Sequence, residues 1–187
     1  AIGTAIFESD IKREDMFISD KVWNTSQNKD QVIEACKSSL KKLKTDYLDL
    51  YLIHWPASMK LYDNWAEINA SKWEGMEELY SQGLVKAIGV CNFKVHHLEE
   101  LKRTAEIFPM VNQFELHPGM LQTELKQYCY THDIKVIASS PLGNGQILNN
   151  PKLRDIAEKH KRTVAQVCLK WSIDSGNIVI PKSKNVE

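Results

Sequence analysis

The sequence predicts an α/β fold in which parallel strands wind into a barrel, and three observations carry that expectation. Short apolar runs alternate along the whole chain with amphipathic stretches whose apolar residues lie on one side, the pattern of strands covered by crossover helices. No Gly-x-Gly-x-x-Gly follows an early strand, as an open dinucleotide-binding sheet would require. Each apolar run also ends in polar groups, and the C-terminal ends of parallel strands are where chemistry collects.

Six strands are read in order: Met16 to Trp23, Asp46 to His54, Leu84 to Val90, Pro109 to Phe114, Ile134 to Ser139 and Asn177 to Pro181. Between the first two, Val32, Ile33, Cys36, Leu40 and Leu43 recur at helical spacing, with Asn28 or Asp30 available as the cap. Trp73, Met76, Leu79 and Tyr80 repeat the stripe before Gly83, a left-handed stop. Later stripes are Val95, Leu98, Leu101 and Ala105, then Leu121, Leu125 and Tyr128. Two further helices follow, one opening at Pro151 and one capped by Thr163 that buries Val164, Cys168 and Trp171 and ends at Gly176. Ala1-Ile2-Gly3 reads as the tail of a helix. Six strands fall short of the eight with which this barrel class closes. The expectation is one barrel domain over residues 1–187, truncated at both ends.

Composition narrows the function. The 187 residues are enough for one sizeable core, and 24 basic residues balance 24 acidic ones, so no global field favours nucleic acid. No apolar run is long enough to span a membrane, and the amino end lacks a leader pattern. A cytoplasmic protein is expected. Cys36, Cys91, Cys129 and Cys168 are scattered without a Cys-x-x-Cys pair, and three of them sit in amphipathic helical patterns where cysteine is a small hydrophobe. His96, His97, His132 and His160 lack metal-ligand spacing, and no metal is assigned.

The stretch Asp46 to Pro56 organises the reading. Its apolar run delivers His54 and Trp55 to the strand end, where Pro56 stops the ladder. The other ends carry Lys21 with Trp23, Cys91-Asn92, Asn112-Gln113 with Glu115 and His117, Ser139-Ser140-Pro141-Leu142-Gly143, and Pro181-Lys182-Ser183. In a barrel these groups meet on one face.

Six strings carry a resemblance: Phe17-Ile18 running to Lys21-Val22-Trp23, Leu52-Ile53-His54-Trp55-Pro56, Ile88-Gly89-Val90-Cys91-Asn92-Phe93, Val111-Asn112-Gln113 with Glu115, His117 and Pro118, Ser140-Pro141-Leu142-Gly143, and Ile180-Pro181-Lys182-Ser183. In order and spacing they resemble the aldo-keto reductases. That resemblance implies an eight-stranded (β/α) TIM barrel, of which these would be the third to eighth strands. It also implies NADPH-dependent reduction of small aldehydes or ketones by a tyrosine acid, assisted by a lysine, an aspartate and a histidine. Lys21 matches the lysine and His54 the histidine, whereas the tyrosine and aspartate would lie upstream of Ala1. The 187 residues alone are therefore expected to be catalytically silent, and the complete protein to be a monomer or a weak dimer.

For the cofactor, the resemblance assigns Asn92 and Gln113 to the nicotinamide carboxamide, Ser140, Leu142 and Asn144 to the turn beside the pyrophosphate, and Lys182 and Ser183 to the 2′-phosphate. An arginine that completes the last grip would follow Glu187. Cys91 replaces a serine of the family, and Ser139 replaces an aromatic residue that stacks on the nicotinamide. Trp23 and Trp55 match indoles that line the substrate pocket; without the resemblance both read as core packing. Glu115 and His117 read as groups that orient their loop. Two other classes stay open. Lys21 could form a Schiff base in a different barrel enzyme, or the chain could be a non-catalytic nucleotide-binding module.

Overall fold

A computed structural model describes residues 2–183, and the chain divides into two compact units, residues 1–110 and 111–187. In the first, helix α1 (Ile2–Phe7) precedes strand β1 (Ser19–Val22), α2 (Lys29–Leu43), β2 (Leu50–Ile53), α3 (Trp65–Ser81), β3 (Ile88–Cys91) and α4 (Val95–Leu101). β1 pairs parallel with β2, and β2 with β3. The second unit runs β4 (Val111–Glu115), α5 (Thr123–Thr131), β5 (Lys135–Ser139), α6 (Pro151–Lys159), α7 (Val164–Asp174) and β6 (Ile178–Val179), with β5 parallel to both β4 and β6. Among the described residues no helix is long and apolar enough to cross a membrane.

The helix signals act as their chemistry predicts. Asn28, not Asp30, caps α2 by accepting from the Gln31 N–H, and Lys44 closes it in the left-handed region at φ 57°. Gly83 follows α3 at φ 71°. Asn150 caps α6 with Pro151 in its first turn, and Thr163 forms a capping box with Gln166 at α7. Val32, Cys36, Trp73, Met76, Leu79, Ile88, Val90 and Leu98 make the core of the first unit.

Several boundaries differ from the sequence expectation. The Asp46 and Leu84 strands begin late because Leu48 and Val85 meet in one isolated bridge before the regular ladder starts. Met16 to Ile18 stays outside β1, with Phe17 exposed. Ala105 continues the α4 stripe but lies beyond the helix, which ends at Leu101. Leu121 falls outside α5, since Gln122 takes a left-handed φ of 48°, and it is exposed. On α7 only Cys168 of the predicted trio is fully buried; Val164 and Trp171 are half-buried. Ile178 and Ile180 are exposed, so the last strand is not a buried one.

The entrance to β1 and β2 is held by one guanidinium. Arg13 donates to the Thr45 hydroxyl and to the Met16 and Tyr47 carbonyls, each at 2.8 Å, and meets the Asp49 carboxylate at 2.9 Å. The same carboxylate oxygen accepts from the Ile18 N–H at 2.9 Å. Arg13 and Lys86 both lie over the Tyr47 ring, at 3.9 and 3.8 Å. Burial opposes the Asp49 charge, but the Ile18 N–H, Arg13 and Lys86 outweigh it and hold the carboxyl below the usual aspartate value. A lowered pKa means stability that is present above the ordinary aspartate pKa and is lost as pH falls through the lowered one. Asp49→Asn should therefore lower the Tm of the full-length protein at pH 7. Its Tm deficit should shrink as acid protonates the wild-type carboxylate, which thermal melts across pH would read.

Candidate active site

The faces presented by the strands of the first unit follow from register and the alternation of strand side chains. Lys21 pairs with Leu52 and Leu52 with Gly89, so the three share one face. His54 and Cys91, each two residues further on, extend that face at the strand ends, and the His54 N–H continues the pairing to the Val22 carbonyl at 3.2 Å. Asp20 and Tyr51 turn to the other face, where burial, followed by the Asp20 charge, pushes the Cys36 thiol of α2 up to about 12.

Lys21, His54 and Cys91 thus converge, and their electrostatics register it. Burial, then the Lys21 charge, holds the His54 imidazole below its ordinary pKa. Burial pushes the Cys91 thiol up to about 12 against the opposing pull of Lys21. His54 is accordingly neutral near pH 7, with one ring N–H to donate. The Trp23 indole meets the His54 ring edge-on, with centroids 4.8 Å apart. Trp23 is 58% exposed and Trp55 47%, so neither indole is packed into a core of the described residues. Asn92 sits just past β3 at a left-handed φ of 61°, and its side-chain N–H donates to the His54 carbonyl at 3.0 Å.

The segment after His54 is held from helix α3. Lys72 Nζ donates to the Trp55 carbonyl at 3.2 Å, and Asn69 Oδ1 accepts from the Ala57 N–H at 2.7 Å. Burial brings the Lys72 ammonium down to about 8. Neither residue was singled out in the sequence. The available signal was position: 69 and 72 fall on the stripe that continues through Trp73, Met76 and Leu79, so two polar residues stand on a buried helix face.

In the second unit, Asn112 turns toward α5, donating to the Cys129 sulfur at 4.0 Å, so the buried Gln113 lies on the opposite face of β4. Glu115 continues the Gln113 face and pairs with Ser139 of β5. The Glu115 carboxylate lies 3.3 Å from His117 Nε2, and His117 Nδ1 lies 3.1 Å from the Pro118 carbonyl. The loop after β5 bends through four left-handed residues, Ser140 (φ 46°), Gly143 (φ 54°), Asn144 (φ 52°) and Gly145 (φ 89°). Such a conformation at the non-glycine Ser140 and Asn144 costs of order 1–3 kcal/mol each. The Ser140 hydroxyl lies 3.4 Å from Asn144 Oδ1, and Leu142 is half-buried between them in sequence. A methyl group on Gly143 would press on the His117 ring, 3.2 Å away. Lys182 and Ser183 are exposed just past β6. A cleft of about 980 Å³ between α6 and α7, lined by Leu153, Ile156, Val167 and Trp171 among others, contains none of these strand-end residues. Among the described residues no group of three His, Cys, Asp or Glu could hold a metal.

Comparison with known proteins gives a consistent answer. The sequence model of the Aldo/keto reductase family matches residues 1–187. A glyoxal reductase from Bacillus subtilis (strain 168) is 50% identical over 97% of this chain and 63% of that protein. A methylglyoxal reductase from Escherichia coli (strain K12) is 42% identical over 97% of this chain and 64% of that protein. Among solved structures, an aldo/keto reductase from Brucella melitensis superposes with a TM-score of 0.90 at 45% identity, covering 97% of this chain and 68% of that one. A mutant of Gox0644 in complex with NADPH gives a TM-score of 0.89 at 38% identity, covering 98% and 64%. This chain spans 63% of the length of the glyoxal reductase it matches. The fold class is α/β, that of the (β/α)8 barrels, with six parallel strands among the described residues.

The electrostatic pairing at the strand ends is directly measurable. Lys21→Met removes a cation that opposes protonation of His54, so the His54 pKa should rise, while burial keeps it from returning fully to the ordinary value. Titration of the His54 ring by NMR reads the shift. An unchanged pKa would separate the two side chains.

Proposed function

The chain belongs to the aldo/keto reductase family, and on that premise we propose that the full-length protein reduces small aldehydes or ketones to alcohols with NADPH as reductant. The observation that carries the reading is a neutral imidazole, His54, held beside Lys21 at adjacent strand ends with the Trp23 indole against it. A neutral imidazole can donate its N–H to a carbonyl oxygen and stabilise the negative charge that develops there as the carbon is reduced. Lys21 adds a cation on the same face, which favours anionic character in any nearby phenol and so eases proton donation. Tyr51 is not that phenol: it is fully buried on the helix-facing side, and burial raises its pKa. In the resemblance the proton donor is a tyrosine upstream of residue 1. Exposed Trp23 and Trp55 offer flat apolar walls beside His54, suited to a small substrate.

The residues present fit NADPH by the chemistry of their donor set. A nicotinamide carboxamide needs both donors and acceptors, the atom types of the amide side chains Asn92 and Gln113 that the resemblance assigns to it; the Asn92 Nδ2 is engaged with the His54 carbonyl. Ser140 and Leu142 would flank the pyrophosphate, and Lys182 with Ser183 would take the 2′-phosphate by point charge and hydroxyl. When bound, the cofactor supplies the hydride. Cys91, protonated and buried, replaces a hydroxyl with a weaker hydrogen-bonding group. The activities for which these relatives are named make glyoxal and methylglyoxal the first substrates to try.

In the full-length protein, His54→Ala should lower kcat/KM for the carbonyl by about 10² or more with NADPH affinity nearly unchanged. Lys182→Met should weaken NADPH while sparing NADH; equal loss for both would remove the lysine from the phosphate grip. Steady-state rates of NADPH oxidation over a carbonyl panel and cofactor titrations supply both readouts. Borohydride capture of a carbonyl on Lys21 would replace hydride transfer with Schiff-base chemistry, and tight NADPH binding without turnover of any carbonyl would leave a binding module.

A further inference from the structure

Strand β2 ends at Ile53, and past the His54 N–H the peptide groups that follow have no partners on a neighbouring strand. They are taken up one after another. The His54 N–H donates to the Val22 carbonyl at 3.2 Å, and the His54 carbonyl accepts from Asn92 at 3.0 Å. The Trp55 carbonyl accepts from Lys72 at 3.2 Å. Pro56 has no N–H to place. The Ala57 N–H then donates to Asn69 at 2.7 Å. Asn69 and Lys72 stand three residues apart on one face of α3 and so grip the backbone on both sides of Pro56.

Holding these two groups there is costly. Asn69 is 2% exposed and Lys72 1%, and among the described residues no carboxylate pairs with the Lys72 ammonium. With Oδ1 committed to Ala57, the Asn69 Nδ2 is buried without an acceptor among the described residues. Packing alone would favour apolar side chains at both positions.

We infer that Asn69 and Lys72 are positioning residues of the active site, a two-point clamp from α3 that fixes the His54-Trp55 segment against the substrate carbonyl. The assignment rests on the proposed reductase reading for its kinetic consequence, but not for its geometry.

The test uses Lys72→Met in the full-length protein, which keeps length and bulk and removes the donor. The clamp predicts a loss in kcat for a carbonyl of roughly 10-fold or more, as small misplacements of catalytic groups produce, with NADPH affinity changed less than twofold. It also predicts that the His54 ring, seen by NMR, titrates at higher pH as the loosened segment admits water. A lower Tm with unchanged kcat and an unchanged His54 titration would make Lys72 merely structural and overturn the inference. If the wild-type protein reduces no carbonyl, the reductase reading falls, and the His54 titration still decides the clamp. Should Lys72→Met fail to fold, Asn69→Ala is read by the same two measurements.

Discussion

The register of β1 on β2 is the constraint from which the rest of the first unit's chemistry follows. Parallel strands have no hairpin to set their alignment, and side chains alternate strictly between faces. A slip of one residue would send Lys21 to the side now taken by Asp20, against α2, and bring Val22 opposite the approach to His54. The Arg13 guanidinium opposes that slip at the strand entrance. Its donors are divided between the chain leading into β1, at Met16, and the chain leading into β2, at Thr45, Tyr47 and Asp49. Because Asp49 also accepts from Ile18, the two incoming segments share one carboxylate. This ion pair is only partly exposed, and its hydrogen bonds have fixed directions, so its contribution is alignment as much as energy.

Alignment at one end of the strands becomes electrostatics at the other. Lys21 acts on His54 and Cys91 because register puts all three on one face, and burial raises the cost of charge there. The imidazole responds by staying neutral, the state in which it donates a hydrogen bond without carrying a charge into the site. Beyond the His54 N–H the neighbouring strand no longer supports the backbone, and side chains of α3 and the β3 end take over. Strand pairing therefore sets which side chains meet, and side-chain hydrogen bonds set where the last of them stand.

Much of this was legible in the sequence, and the reasons are local. His54 follows an apolar run, Leu50 to Ile53, whose length specifies a strand, so its place just past a strand needed no tertiary knowledge, whereas the Met16 to Ile18 run that pointed to Lys21 lies outside β1. The cap at Thr163, and Asn28 as one of two candidates, were legible because capping is satisfied within one turn. Strand starts were not: Leu48 and Val85 look like ladder residues, yet only one bridge forms there, a matter of how neighbouring chains approach. The left-handed Gln122, which excludes Leu121 from α5, carries no glycine to announce it. Asn69 and Lys72 were illegible for a different reason. A polar residue on a helix usually reads as solvated, and only the loop beyond Pro56, distant in periodicity from the helix, gives these two their partners.

The four cysteines have a consequence for durability. All are free and buried, and burial pushes Cys36 and Cys91 up to about 12, Cys129 to about 11, and Cys168 upward as well. Attack on an electrophile requires a thiolate with access to it, and the folded chain presents neither condition at any of these sulfurs. A reactive carbonyl diffusing toward the exposed indoles of Trp23 and Trp55 thus passes no nucleophilic sulfur. These four thiols should therefore resist addition to carbonyls for as long as the chain stays folded.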